Sequence, residues 1–184
     1  EYHDGILLFD VSLREVWDRA SQDVEGLTSY FAANKAKFTW DEPRFKGCVI
    51  YAKNEVAAKS AKQIVKTAHS DSVMSYLNSR VNVDSVMYVR VERGLWKQGA
   101  NGAIDKYGFK LKGSTYEPNE DYPIVIVLGK VIKHPQEYTD DRARVTSAYQ
   151  DYLEKQWVAT LREKYPVVIN QEVWNSIVSD AVNK

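Results

Sequence analysis

The stretch DEPRFKGCVIYAKNEVAAKSAKQIVK, residues 41–66, changes its hydrophobic period half-way along and so decides the fold class. Its first half is rich in Phe, Val, Ile and Tyr and predicts a β-strand over residues 44–52. Its second half begins at Asn54, a favourable N-cap, and continues with alanines and other strong helix formers. Ala57 and Ile64 share one helix face, which predicts a helix packed closely on a sheet.

Upstream of this stretch the sequence predicts only helices. Residues 1–9 form a first apolar helix. Ser12 begins a second helix, because SLRE fits a capping box in which Glu15 reaches back to the cap. A third helix is predicted over residues 25–35. Pro43 then favours an extended conformation at Glu42, the residue that precedes the proline.

Downstream, two more apolar runs predict the rest of the sheet. VDSVMYVRVE, residues 83–92, predicts a strand after a short helix at 72–77. YPIVIVLGKVIK, residues 122–133, is the most apolar stretch of the chain and predicts a central strand buried on both faces. The glycine-punctuated stretch 93–113 between them predicts a loop with one short helical turn.

The C-terminal part returns to a helical pattern. Thr139 caps a long helix that runs to residue 164 with a broad apolar stripe, and Asn170 caps a final short helix. The sequence therefore predicts an α+β fold, with a small antiparallel sheet, N-terminal helices and a long C-terminal helix. The predicted domains are a helical segment 1–40, a sheet domain 41–134 and a C-terminal helical segment 135–184.

Composition excludes several classes of protein. The 184 residues are 44% hydrophobic and 27% charged, and the formal net charge is zero. A general attraction to nucleic acid or to anionic membranes is therefore not expected. No apolar run approaches the roughly 18 residues that a membrane span needs. The chain opens without Met on an amphipathic segment, so we expect it to be part of a longer chain.

No catalytic motif or metal site stands out. The three histidines, His3, His69 and His134, lack the spacing of metal ligands and are predicted to be exposed. The single cysteine, Cys48, permits no intramolecular disulfide and has no histidine nearby in sequence. A buried small hydrophobe is the favoured interpretation of Cys48 over a nucleophile. We expect no cofactor.

The order of elements resembles the parvulin-type peptidyl-prolyl isomerase family. A strand with an Ala-rich helix, a short helix, a strand, a GLW loop, a turn ending in Phe and an apolar strand follow one another as in that domain. The flanking stretches EGLTSYFAANKAKF, residues 25–38, and DYLEKQWVATLREKYPVVINQEV, residues 151–173, resemble folding factors of the SurA, PpiD and PrsA type. The resemblance covers nearly the whole chain, and its specificity comes from the order of weak motifs. It implies that the long helix at 140–164 packs against the N-terminal helices.

The resemblance implies a degenerate active site. The first histidine of parvulins falls on Cys48, and the second falls on Pro123 or Ile124. Isomerisation crosses a barrier of about 18–20 kcal/mol, so the catalyst must favour the twisted amide over the planar one. A thiol is a weak donor and does not replace imidazole in that role. No catalytic residue is therefore predicted.

The predicted function is a cell-envelope or periplasmic folding factor that binds unfolded or proline-containing polypeptides, outer-membrane clients among them. Its peptide-binding residues are predicted to be Cys48, Tyr51, Trp96, Phe109 and Tyr122, with Phe109 in the prolyl pocket that the resemblance implies. Two alternatives stay open. One is an active isomerase that uses Cys48 or a tyrosine hydroxyl, and the other is an architectural domain that binds only the remainder of its own chain.

Overall fold

The structure, a computed structural model, describes residues 2–182, except the side chains of Ser70 and residues 180–182. It confirms the α+β class: helices accompany one three-stranded antiparallel sheet, with a long helix near the C-terminus. The chain divides into two compact units, Glu1–Asn34 with Glu137–Lys184, and Lys35–Gln136. The division into three domains that the sequence predicts stays a prediction.

The first unit is helical. Its elements are α1 (Tyr2–Ser12), a π-turn (Leu13–Trp17), α2 (Asp18–Gln22), α3 (Val24–Ala33), a 3₁₀ turn (Tyr138–Asp141), α6 (Arg142–Lys164) and α7 (Gln171–Val182). The prediction of a capping box at Ser12 is wrong. Ser12 has helical φ and ψ and its side chain caps nothing, because the helical backbone continues through it into the π-turn.

The core of the first unit lies between α6 and the N-terminal helices. Its buried side chains are Val16, Ala20, Leu27, Phe31, Val145, Tyr149 and Leu153. Asp23 caps α3 by accepting from the Gly26 amide at 2.7 Å, and Tyr149 donates its hydroxyl to the other Asp23 oxygen, also at 2.7 Å. This pair fixes the start of α3 against α6.

The second unit is built on the sheet. Its elements are a 3₁₀ turn (Lys35–Lys37), β1 (Arg44–Ala52), α4 (Glu55–Thr67), a 3₁₀ turn (Ser70–Ser72), α5 (Val73–Arg80), β2 (Val89–Trp96), a π-turn (Ile104–Gly108) and β3 (Ile124–Ile132). Asn54 caps α4 as predicted, since its side chain accepts from the Ala57 amide at 2.9 Å. The strand order is β2-β1-β3, and both pairs are antiparallel.

The expectation that β3 is the central strand is wrong. β1 is central, and β3 pairs with β1 alone along its nine residues. Residues 124–128 are half-buried and residues 129–131 are exposed. A continuous apolar run shows that both faces of a strand are covered, but it does not show whether a strand lies on each side of it.

The two faces of the sheet carry different cores because side chains alternate along a strand. On one face, Cys48, Ile50 and Ala52 of β1 pack against α4 and α5; we call this the helix face. On the other, Phe45 and Val49 of β1 pack with residues of the π-turn.

Candidate functional site

The face of the sheet opposite α4 and α5 is lined by aromatic side chains; we call it the aromatic face. Its buried residues are Phe45, Val49, Ala103 and Ile104, and its partly buried ones are Tyr51, Trp96, Phe109, Tyr116, Val125 and Val127. Three of the five predicted peptide-binding residues, Tyr51, Trp96 and Phe109, thus come together on one surface. They derive from β1, from the end of β2 and from the residue after the π-turn.

Phe45 is the centre of the aromatic face and is only 2% exposed. Its ring centroid lies 6.4 Å from that of Trp96 and 6.0 Å from that of Phe109, in tilted and edge-on geometry respectively. Such separations are typical of favourable aromatic pairs. Trp96 and Phe109 are thus held in place from beneath by a fixed ring while their own outer surfaces stay partly open.

Three glycines make room for the Phe45 ring. A Cβ added to Gly47, Gly129 or Gly108 would lie 2.8–2.9 Å from an atom of that ring. At Gly47 it would also lie 2.1 Å from the Leu128 carbonyl oxygen. Gly47 and Gly129 are register partners across β1 and β3. No side chain of any kind, imidazole included, fits on this glycine pair while Phe45 occupies the face.

Tyr51 supplies a fixed hydroxyl at the edge of the aromatic rings. The Asn101 side-chain NH₂ donates to this hydroxyl at 3.1 Å, and Asn101 Oδ1 accepts from the Ala103 and Ile104 amides at 3.0 and 3.2 Å. Asn101 therefore caps the π-turn and holds Tyr51 at the same time. Burial raises the pKa of Tyr51, the hydrogen bond from Asn101 opposes that shift, and the negative charge of Glu92 adds to it.

Glu92 is a second polar group on this face. It is the register partner of Val49 and forms an ion pair with Arg90 at 2.7 Å. Tyr116 lies beside these groups, and burial raises its pKa as well.

The structure places Cys48 away from the aromatic face, which corrects its assignment to the peptide-binding groove. Cys48 is 3% exposed and packs on the helix face with Ile50 and Ala57. It directly precedes Val49, whose side chain points to the opposite side, so the alternation of β1 turns the thiol towards α4. Burial raises the pKa of the Cys48 thiol, although the charge of Arg93 opposes the shift. The interpretation of Cys48 as a small buried hydrophobe is confirmed.

Tyr122 is the fifth predicted site residue, and it packs in neither core. Its hydroxyl donates to the Met87 carbonyl at 3.1 Å, and the Lys53 ammonium lies 5.6 Å from its ring centre. These contacts tie the start of β3 to the chain just before β2. Tyr122 therefore lies outside the group formed by Tyr51, Trp96 and Phe109.

Neither a histidine nor a metal-binding cluster lies on the aromatic face. His3, His69 and His134 are all exposed, as predicted, and none belongs to this face. Across residues 2–182 no group of three or more His, Cys, Asp or Glu side chains is placed to hold a metal ion. In the same part of the chain no helix has the length and apolar composition that crossing a membrane requires.

Four residues of the site were not identified from the sequence: Phe45, Glu92, Asn101 and Tyr116. Phe45, Val49 and Tyr51 stand at positions i, i+4 and i+6 of one strand, so period-two counting along β1 places them on one face and Cys48 on the other. Asn101 has the signature of a cap three residues before the π-turn that begins at Ile104. Glu92 and Tyr116 reach the site only through tertiary packing, which no local pattern encodes.

Comparison of the chain with models of protein families, with curated proteins and with solved structures finds no match. The likeness to parvulins therefore rests on the order of elements along the sequence, and it stays a hypothesis.

Proposed function

We propose that this chain is a folding factor that binds unfolded or proline-containing polypeptide at the aromatic face without isomerising it. The observation that carries the proposal is the grouping of Tyr51, Trp96 and Phe109 on one partly open surface that has no imidazole. Tyr and Trp are the residues that most often anchor peptide and protein contacts, because they bury a large area with few rotatable bonds.

The expected occupant is apolar and only loosely specified. Half-buried aromatic rings stack on proline or on any aliphatic side chain, whereas a fixed array of donors selects one sequence. A binder of many unfolded chains gains from the first kind of surface. The polar groups on the face bond to one another, since Asn101 donates to Tyr51 and Glu92 pairs with Arg90.

We expect no turnover for a reason that lies in the same side chains of the aromatic face. Acceleration requires interactions that are stronger with the twisted amide than with the planar one. The aromatic face carries no imidazole, and the Asn101 NH₂ is engaged with the Tyr51 hydroxyl at 3.1 Å. The surface then binds the planar and the twisted amide equally well. Such binding lowers the dissociation constant of the peptide without lowering the barrier to isomerisation.

An active isomerase that uses the Tyr51 hydroxyl is the second candidate. The observation in its favour is that Asn101 holds this hydroxyl at 3.1 Å beside the aromatic rings. The hydroxyl accepts from Asn101, so its own proton would be the one donor that Tyr51 offers to a bound amide. An isomerase that uses Cys48 lacks this support, because the thiol is buried on the helix face.

The cellular setting of the proposal comes from the parvulin likeness alone. Folding factors of that type act in the periplasm or cell envelope, and unfolded outer-membrane proteins are the clients we propose for this chain. A purely architectural role, in which the chain binds only the remainder of a longer polypeptide, predicts no affinity for such clients.

Binding is tested by fluorescence anisotropy of a labelled outer-membrane protein diluted from urea into the purified chain. We expect saturable binding that weakens about 5- to 20-fold in Trp96→Ala and in Phe109→Ala, as for the loss of an interface anchor. Met74→Ala is the matched control, because Met74 is 51% exposed on α5 and lies in the same unit. Circular dichroism verifies that each variant is folded. Equal affinities in all four proteins would refute the proposal, and no binding by any of them would favour the architectural role.

A further inference from the structure

The outer edge of β3 is an unpaired strand edge. β3 takes part in the ladder with β1 only, and across the described chain no hydrogen bond outside that ladder involves a backbone group of residues 124–132. A strand in this position presents a row of N–H and C=O groups that only another extended backbone can pair completely.

The two edges of the sheet differ in how they are protected. β2, at the other edge, carries three charged side chains in sequence positions Arg90, Glu92 and Arg93, and such charges discourage the addition of a strand. Residues 124–128 of β3, IVIVL, carry no charge and no proline. The β2 edge therefore carries charge along its middle, while the first five residues of the β3 edge are uncharged and apolar.

We propose that the outer edge of β3 binds an extended segment of an unfolded polypeptide as a fourth, antiparallel strand. The whole sheet is antiparallel, and antiparallel ladders are slightly more stable per residue than parallel ones. Backbone pairing supplies affinity without regard to sequence, which suits a partner that has no fixed sequence.

The flanking side chains define the preferred segment. Val125 and Val127 project on the aromatic face, and Ile126 and Leu128 pack on the helix face. An added strand therefore has apolar neighbours on both sides, so valine or isoleucine at successive positions is favoured over alternation with charge.

Charge sets the polarity of the added strand. Lys130 lies near the end of β3 and Lys133 directly follows the strand, and both are exposed. The N-terminal end of an antiparallel strand lies opposite this end, so acidic residues are preferred there and basic ones are disfavoured. A segment with glutamates ahead of an apolar run fits the edge best.

This inference deepens the proposed function, on which it rests for the nature of the partner. The two are separable, because the aromatic face binds through side chains and the β3 edge binds through backbone groups. Changes of the peptide backbone test the edge, and changes of Trp96 or Phe109 test the aromatic face.

The test uses the full chain and an acetylated peptide of two glutamates followed by six alternating valines and isoleucines. A version N-methylated at every second residue keeps one edge able to pair, and a version methylated at every residue keeps none. We expect the first to bind within about threefold of the parent and the second to bind at least about tenfold more weakly, since several backbone hydrogen bonds are lost. Equal binding of the parent and the fully methylated peptide would overturn the proposal.

Hydrogen exchange of the β3 amides gives a second readout. The amides of β3 that do not bond to β1 should exchange rapidly in the free chain and slow by about tenfold or more with saturating parent peptide. Protection of those amides that rises with protein concentration in the absence of peptide would mean that a second copy pairs there, and it would overturn the proposal. Unchanged exchange at saturation would do so as well. If Trp96→Ala fails to weaken client binding while the fully methylated peptide still fails to bind, the edge is correct and the aromatic face is not.

Discussion

Phe45 shows how single residues determine what the aromatic face can hold. Its ring fits on the sheet because three neighbouring residues are glycines without side chains: Gly47, Gly108 and Gly129. The ring supports Trp96 and Phe109 from below. A donor such as imidazole on either strand glycine would require the ring to leave. The Phe45 ring thus occupies the space that a polar side chain facing a substrate would need.

Replacement of Gly47 by Ala tests this packing. The added Cβ would meet the Leu128 carbonyl and the Phe45 ring, so we expect a loss of about 2–3 kcal/mol in the unfolding free energy of the sheet unit. Gly94→Ala is the matched control, because Gly94 is the β2 register partner of Gly47 and the atoms nearest to a Cβ there are Trp96 ring atoms at 3.4–3.6 Å, an ordinary contact distance. Exchange of the β1 amides reports both values. Equal stability of the two variants would contradict the packing.

The Asp23–Tyr149 pair makes the helical unit sensitive to pH at both extremes. The Gly26 amide and then the Tyr149 hydroxyl lower the pKa of Asp23, and burial followed by Asp23 raises the pKa of Tyr149 to about 12. A lowered carboxyl pKa stabilises the fold above the unfolded value, and this stability is lost as pH falls below about 4. A raised tyrosine pKa stabilises it below about 10, and this stability is lost as pH rises towards 12.

Thermal unfolding of α6 is followed by circular dichroism at a series of pH values. It measures both the loss of stability at acid pH and the loss at alkaline pH. Tyr149→Phe should remove most of the decline between about pH 10 and 12, and Asp23→Asn should flatten the acid decline. Tyr152→Phe is the control, because Tyr152 stacks on Tyr149 without bonding to Asp23. An unchanged alkaline limb in Tyr149→Phe would show that the pair does not link stability to pH.

Among single residues, two of the four caps predicted from sequence are confirmed. Thr139 does not cap the long helix, because it lies inside the 3₁₀ turn Tyr138–Asp141, which Glu137 caps. Asn54 and Asn170 accept from the amides three residues ahead, as expected. Local hydrogen bonding decides such positions. Ser12 fails because a capping box also requires the preceding chain to be non-helical, and the helical backbone here runs through it. Cys48 is buried, as predicted, but it does not lie in the groove. Its assignment to the groove followed the order of elements in the resembling family and not the alternation of side chains along β1.

At the scale of elements, the π-turn Ile104–Gly108 positions the site. It packs against β1 and β3, and Phe109 follows it directly. Asn101 caps the turn and holds Tyr51, so this one side chain links the loop to the central strand. We expect Asn101 to affect binding although it contributes no apolar surface.

Asn101→Ala should therefore weaken client binding several-fold and cost about 1 kcal/mol of stability, the usual effect of losing a cap. Asn54→Ala is the control: it removes a cap of the same type from α4, on the helix face, and should cost similar stability with no change in binding. The anisotropy titration gives both affinities. If the two variants bind alike, Asn101 acts only through general stability.

The strands illustrate which parts of the fold local pattern encodes. β1 was predicted at its observed bounds, because its apolar residues are flanked by Pro43 and by the Asn54 cap. β2 begins at Val89, six residues later than predicted. Asp84 and Ser85 have left-handed φ values of 55° and 61°, so the chain turns at residues that the apolar pattern had included in the strand. The edge position of β3 depends on pairing between distant segments, which the sequence pattern does not contain.

At the scale of the whole molecule, the α+β class followed from composition and periodicity alone. The long helix was predicted over 140–164 and is observed as Arg142–Lys164. The grouping of the N-terminal helices with this helix, across more than a hundred intervening residues, is a tertiary fact. Periodicity predicts these helices only individually, whereas the resemblance to SurA-type folding factors implied that the long helix packs against the N-terminal ones, and this packing is confirmed.

The second unit holds every residue of the aromatic face and its own two cores, one on each face of the sheet. We therefore expect a fragment of residues 35–136 to fold and to bind the unfolded client within about threefold of the full chain. Circular dichroism and the anisotropy titration measure the two properties. A folded fragment without affinity would place client binding in the helical unit.

The most direct measurement of the central claim is exchange NMR spectroscopy on a peptide with one prolyl bond, titrated with the full chain. Binding without turnover predicts saturable shifts of the peptide resonances, reduced in Trp96→Ala and Phe109→Ala, with cis and trans forms still interconverting over tens of seconds or longer. Exchange cross-peaks between the two isomers at sub-second mixing times, lost in Tyr51→Phe, would establish the isomerase and contradict the account.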